Sequence, residues 1–198
     1  MKSLIKLTFK SVFTLGVIVI LAYFGWKYIL PKLNEREQRE RKEYVITKVF
    51  DGDTFEAEIN GKKEKVRMLG IDTPEKFDSD KLTRDMERTK KDSETIKKLG
   101  ELSSQFTRKL LEGKKVLLEP DKSQDDKDKY GRLLRYVYLE DGTFVNEKIV
   151  AEGYAVVFRK FKVSKEKELI DAETDARKGK KGLWGDIEGL KYMESSND

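Results

Sequence analysis

Arg67, Asp72, Thr73 and Glu75 fall within ten residues, VRMLGIDTPE, 66–75. Arginine presents a planar fork that suits oxyanions. Paired carboxylates hold a hard cation or manage a water's proton. Two further segments carry similar groups. Asp51-Gly52-Asp53-Thr54 places a second carboxylate directly after an Asp-Gly turn signal, at the start of a strand-like run. Asp128-Lys129-Tyr130-Gly131-Arg132 supplies a second arginine behind a glycine. A fourth segment, FRKFK at 158–162, interleaves Arg159 and two lysines with Phe158 and Phe161. Each has a plain structural reading: a hairpin turn, an arginine with its stem packed down, a polar loop, a strand edge. FRKFK reads equally well as a surface for nucleic-acid backbone and bases.

Composition narrows the chemistry. The chain has no cysteine and no histidine. Disulfides, thiol nucleophiles, Ser-His-Asp triads and zincin-type sites are therefore excluded. Any metal should be a hard cation held by oxygen, calcium or magnesium. The net charge of +5 does not describe the globular part. Residues 1–42 hold nine of the 42 Lys/Arg and three of the 37 acidic residues, leaving 33 basic against 34 acidic residues beyond them. Only local patches can then attract a polyanion.

The N-terminal arm is of a different kind. Ser11–Trp26 is uncharged and apolar, and extension to Leu30 adds only Lys27. Residues 11–30 match a bilayer core in length and are expected to form a transmembrane anchor or signal-anchor. Lys2, Lys6 and Lys10 in the tail 1–10 resemble a signal n-region. Tyr23, Trp26 and Tyr28 suit an interfacial belt. No convincing small-residue cleavage site follows, so an uncleaved anchor is favoured over a cleaved, secreted form. Six Lys/Arg lie near its C-terminal flank, counting Lys27, against three before it, which taken alone favours the C-terminal domain inside; the n-region favours it outside. Residues 31–43 read as a charged tether.

The elements that must position the polar groups lie in 44–185. Asp51-Gly52 separates YVITKVF from TFEAEI, and Asn60-Gly61 separates TFEAEI from KEKVRMLGI, so 44–71 reads as three antiparallel strands. VLLE (116–119) and RLLRYVYL (132–139) read as two more, with a turn at Asp141-Gly142. Ile96, Leu99, Leu102, Phe106 and Leu110 recur at helical spacing before Gly113. VNEKIVAEG reads as a short helix ending at Gly153, and Ser164 as the cap of a third helix carrying Leu169, Ala172 and Ala176. Trp184 is expected to anchor packing, and 186–198 to fray. The fold class is thus α+β: a five-stranded OB-fold barrel with about three helices. In a regular strand, Arg67 and Asp72 are five apart and face opposite sides. Joint action requires a break, and Gly70 is placed to supply it.

Taken together, DGDT, an arginine five residues before the aspartate of IDTPE, and DKYGR are similar in order and spacing to the staphylococcal nuclease family. GELSSQFTRKLLEGKKV (100–116) and DGTFVNEKIVAEGYA (141–155) extend the resemblance over roughly 44–185. It implies an OB-fold and a calcium-dependent phosphodiesterase acting on DNA and RNA by in-line attack of a metal-associated water. It also implies that Asp53 and Asp72 ligate calcium and that Thr73 adds its backbone carbonyl. Glu75 would align or deprotonate the attacking water, and Arg67 and Arg132 would grip the phosphate. Lys129 and Tyr130 would border the nucleotide, with Phe158, Arg159 and Phe161 in the remaining pocket. The catalytic domain is expected to be monomeric, tethered to a cell membrane on its extracytoplasmic side.

The chain departs from the family in three places. A charged stretch separates Glu75 from Gly100 and is longer than in the smallest members; it reads as a solvated insertion rather than a lid. Phe158 and Phe161 stand where tyrosines line the type member's nucleotide pocket. The loop SQDDKD (123–128) is acidic for the approach of a polyanion. The alternative function is a non-catalytic, membrane-tethered OB-fold module that binds nucleic acid.

Overall fold

The computed structural model describes residues 9–29 and 42–195. They belong to two compact units, divided between Lys42 and Glu43. In the first unit, helix α1 spans Phe9–Phe24 and runs into a π-helical turn, Gly25–Ile29. The expected transmembrane span at 11–30 falls on this helix and turn, with Leu30 outside the described residues. The α-helix has 16 residues, about 24 Å at 1.5 Å per residue, against a hydrocarbon core of about 30 Å. Among the described residues no helix is long and apolar enough to cross a membrane. Most of the tail 1–10 and of the tether 31–43 lies outside the described residues.

In the second unit, strands β1 (Glu43–Val49), β2 (Thr54–Ile59) and β3 (Lys62–Met68) form an antiparallel meander. Alternation sets their faces. Phe55 and Ala57 point inward and Glu58 outward on β2, while Val66 and Met68 flank Arg67 on β3. Asn60 (φ 53°) and Gly61 (φ 75°) both take the positive φ that a tight hairpin turn needs. The β1–β2 connection is wider than an Asp-Gly turn. Phe50 and Asp51 N–H both donate to the Thr54 carbonyl, leaving residues 50–53 as a loop.

After β3 the chain turns a corner, and β4 (Ile71–Asp72) leaves the barrel to pair with β7 (Val156–Val157). Then come α2 (Asp80–Thr89), α3 (Ser93–Leu111), β5 (Lys115–Glu119) and β6 (Leu133–Leu139). The barrel closes in the order β1-β2-β3-β6-β5, with β5 returning to β1 and only the β3–β6 pair parallel. This is the expected α+β fold with a closed, OB-like five-stranded barrel. Helices α4 (Val145–Ala151), α5 (Glu166–Lys178) and α6 (Ile187–Ser195) follow.

Five α-helices among the described residues of the second unit correct the expectation of about three there, α1 belonging to the arm. The two additional ones lie where solvated or frayed chain was expected. Helix α2 occupies the charged insertion, capped by the Ser79 hydroxyl, which accepts from Leu82 N–H at 3.1 Å. Helix α6 occupies the expected tail. They share a second core of Leu82, Ile96, Leu99, Val156, Leu183, Trp184, Tyr192 and Met193, apart from the barrel core around Phe55, Met68, Tyr136 and Ile149. Trp184 is buried, as its sequence reading predicts. Ser164 does not cap α5. Its N–H donates to Asp121 Oδ2 at 2.7 Å, and Lys165 stands at the N-cap without a side-chain bond.

Candidate functional site

The corner after β3 is where the sequence reading required a break. Gly70 has φ +74° and ends the strand. The guanidinium of Arg67 then reaches forward over the corner, donating to the Ile71 carbonyl at 3.1 Å and to Asp72 Oδ1 at 2.8 Å. Its other nitrogen pairs with Asp53 Oδ1. Two carboxylates nineteen residues apart in sequence therefore share one arginine. The corner is clamped from inside by Asn146, fully buried on α4. Its amide donates to the Leu69 carbonyl at 2.9 Å and accepts from Val137 N–H at 2.9 Å.

Asp53 is buried and fully engaged. Oδ2 accepts the N–H and the hydroxyl of Thr73, both at 3.1 Å, and Oδ1 accepts the Thr54 hydroxyl at 3.0 Å. Thr54 in turn lies 3.4 Å from Arg132 Nη1. Arg132 is held by Asp128, whose Oδ2 accepts from Nε and pairs with Nη2, both at 2.7 Å. Thr54 opens β2 opposite Arg67 on β3, and Arg132 immediately precedes β6, which runs parallel to β3. The three segments thus meet at one end of the barrel, linked Arg132–Thr54–Asp53–Arg67–Asp72.

Helix α3 supports this end from behind by close approach. A Cβ at Gly100 would meet the Pro74 and Glu75 carbonyl oxygens at 2.7 Å, and one at Gly52 would meet Thr73 and Ser103 below 3.0 Å. Thr107 of α3 also donates to the Gly52 carbonyl at 2.7 Å. These contacts explain why glycines stand at those two positions.

Glu75 follows Pro74 and turns onto the start of the insertion. Its carboxylate accepts from Lys76 N–H (3.0 Å), Phe77 N–H (3.2 Å) and the Ser79 hydroxyl (3.1 Å). Tyr130 is exposed, with Lys129 Nζ 5.0 Å and the Arg132 guanidinium 5.4 Å from its ring centre. Phe158 and Phe161 lie 5.9 Å apart, directly after β7. Arg159 is engaged in structure. It pairs with buried Glu173 of α5, which also accepts Val157 N–H at 2.6 Å.

Sequence reasoning missed Lys81. Its ammonium donates to the Thr73 carbonyl at 2.6 Å and lies 3.6 Å from Asp72 Oδ2. The signal for it was present in a weak form: Ser79 as a cap, with Leu82 and Met86 one turn apart. Burial by itself would raise the Asp72 carboxyl, but Lys81 and Arg67 beside it hold it below the usual carboxylate range. Burial raises the Asp51 carboxyl, and the charges of Arg67 and Lys81 offset this only in part. Burial would depress the Lys81 ammonium, but Asp72, with Tyr192 and Asp85, raises it, so it stays charged.

Asp53, Asp72 and the Thr73 carbonyl form an all-oxygen set, which suits a hard divalent cation. Among the described residues no three carboxylates lie close enough to complete such a site. The cations that now answer these acids are Arg67 and Lys81.

A closed OB-like barrel thus gathers carboxylates and arginines at one strand end, and a guanidinium fork is a group suited to an oxyanion. The family model described as "Staphylococcal nuclease homologue" matches residues 65–186, and the chain belongs to that family. Among its relatives is the thermonuclease of Staphylococcus hyicus, 36% identical over 142 residues, covering 71% of this chain and 75% of the relative. Endonuclease YncB of Bacillus subtilis is 38% identical over 124 residues, covering 63% and 52%. An uncharacterized protein of Methanocaldococcus jannaschii is 33% identical over 148 residues, covering 70% of each.

Proposed function

We propose that this protein is a calcium-dependent nuclease that hydrolyses phosphodiester bonds of DNA and RNA. The observation that supports this best is the unbroken link from Arg132 through Thr54, Asp53 and Arg67 to Asp72, which joins two guanidinium forks to two carboxylates. Family relatives named as thermonuclease and endonuclease support the same reading.

Asp53, Asp72 and the Thr73 carbonyl would hold the calcium, which when bound supplies positive charge to the phosphate and acidifies water. Arg67 and Arg132 grip the non-bridging oxygens with two-point, charge-assisted bonds. These strengthen as charge spreads over the oxygens in the in-line transition state. Asp128 keeps the Arg132 fork in place, and its hydrogen bonds to Tyr130 and Arg132 N–H fix the loop. Glu75 orients the attacking water or takes its proton, its carboxylate held in one pose by three donors. Tyr130 and Lys129 border the nucleotide, and the rings of Phe158 and Phe161 offer stacking surface for bases. Arg159, tied to Glu173, shapes that segment.

The apolar arm adds a location to the proposal: attachment at a cell membrane with the nuclease unit on the extracytoplasmic side. Its support is the uncharged run Ser11–Trp26 and the lysines before it. Protease protection of intact cells tests it; a domain cut only after lysis would overturn it.

The test of activity is digestion of single-stranded DNA and of RNA with calcium, then with a chelator. Cleavage should require calcium. Glu75→Gln should lower the rate by about 10²–10⁴-fold if Glu75 acts on the water's proton. Arg132→Lys, which keeps the charge but loses the fork, should also be slow. Absence of calcium-dependent cleavage overturns the proposal. Retained binding of single-stranded DNA in that case would favour the non-catalytic module.

A further inference from the structure

The charged insertion between Glu75 and Gly100 carries a group into the site. Lys81, in the first turn of α2, sets its ammonium 2.6 Å from the Thr73 carbonyl oxygen and 3.6 Å from Asp72 Oδ2. Those are two of the three groups offered to a divalent cation. Lys81 is not a surface lysine that happens to lie nearby. Its ammonium is 3.3 Å from Asp85 Oδ2. Asp85 is 5% exposed and is itself held by Arg88 at 2.7 Å and by the Tyr192 hydroxyl at 2.7 Å. Tyr192 belongs to α6 and is 1% exposed. A buried carboxylate with three partners from two helices thus fixes the position of one ammonium over the acid end of the barrel.

We propose that Lys81 is a built-in competitor for the divalent cation, setting its affinity at the Asp53–Asp72–Thr73 ligand set. This rests on the calcium reading above. The carbonyl lone pair and the Asp72 oxygen that face Lys81 are taken while the ammonium stays. A divalent cation on those oxygens would lie within a few ångströms of a positive charge. It must displace Lys81 from those oxygens. Because Lys81 is held from α2, and α2 from α6, its displacement would also loosen the contact of the insertion with the Thr73–Pro74–Glu75 turn.

The experiment is calcium binding by titration calorimetry on the full chain, comparing wild type, Lys81→Met and Asp72→Asn. Methionine keeps the length and apolar stem and removes the charge. Lys81→Met should bind calcium about tenfold more tightly or better, equivalent to about 1.4 kcal/mol. Asp72→Asn should bind more weakly than wild type. Equal affinity of wild type and Lys81→Met, with Asp72→Asn weakened, overturns the role of Lys81 and leaves the calcium reading standing. No calcium binding by any of the three overturns both. A second measurement covers a variant that fails to fold. In the wild-type protein, acylation of Lys81 read by peptide mass spectrometry should speed up on adding calcium. An unchanged rate at calcium saturation of the wild type overturns the proposal.

Discussion

Replacing Gly70 by alanine tests whether the corner joining Arg67 to Asp72 is enforced by both backbone shape and packing. Two costs add. Gly70 has φ +74°, and a residue with a Cβ loses about 1–2 kcal/mol there. The new Cβ would also stand 2.6 Å from Leu169 Cδ1 and 3.1 Å from Val163 Cγ2. Both neighbours are buried core residues, so neither can swing out to solvent. Overpacking of that kind costs about 1–3 kcal/mol. Alanine also narrows the unfolded ensemble, which offsets about 0.4–1 kcal/mol. The net is a destabilisation of about 3 kcal/mol. Gly61→Ala is the internal control. It has nearly the same φ, +75°, but nothing within 4 Å of its Cβ, so only the backbone cost remains, about 1 kcal/mol after the same offset. Urea unfolding followed by tryptophan fluorescence gives both values. With a slope of about 2 kcal/mol/M, Gly70→Ala should lower the midpoint by about 1.5 M and Gly61→Ala by about 0.5 M. Equal losses in the two variants would refute the packing argument and leave the corner as a matter of backbone shape alone.

Asn146→Leu should cost about 2–4 kcal/mol, because it strips partners from the buried Leu69 carbonyl and Val137 N–H. For a domain of this size that is a fall in melting temperature of roughly 10 °C, read by calorimetry. The Asp121 carboxylate accepts from Tyr136 Oη, Ser164 N–H and Ser123 N–H. Burial raises its pKa, but these bonds more than offset that and hold it well below the usual carboxylate range. Its contribution is therefore complete above an ordinary pKa of about 3.9 and is lost as pH falls toward the lower folded value. The excess stability of wild type over Asp121→Asn should hold at neutral pH and shrink below about pH 4, measured as the difference in melting temperature. The partner shifts the other way: burial and the bond to Asp121 push Tyr136 up to about 12. Its contribution is present below about pH 10 and is lost as pH climbs through the folded value.

The features that the sequence determined by itself are those decided within a few residues. The Asn60-Gly61 turn, the alternation of Phe55 and Ala57 with outward glutamates, and the break at Gly70 follow from local sterics and from a period of two. The helices ending near Gly113 and Gly153 follow in the same way, and both glycines take positive φ. Arg67, Asp72, Asp53 and Arg132 stood out in the sequence only through their resemblance to the staphylococcal nuclease motifs, and the fold brings their side chains together at one end of the barrel. Other features depended on partners far away in sequence. The α2 segment read as a solvated charged insertion and the α6 segment as a frayed end, yet each supplies a narrow apolar edge, Leu82 or Tyr192 and Met193, that is covered when both pack with α3. Arg159 looked like a nucleic-acid contact until Glu173 of α5 came to stand beside it. Ser164 looked like a cap until Asp121, 43 residues earlier, took its N–H. Lys81 was one lysine among many. Only tertiary structure could single it out, because what an ammonium does is decided by which oxygens face it once water is gone, and in this fold those oxygens are Thr73 and Asp72.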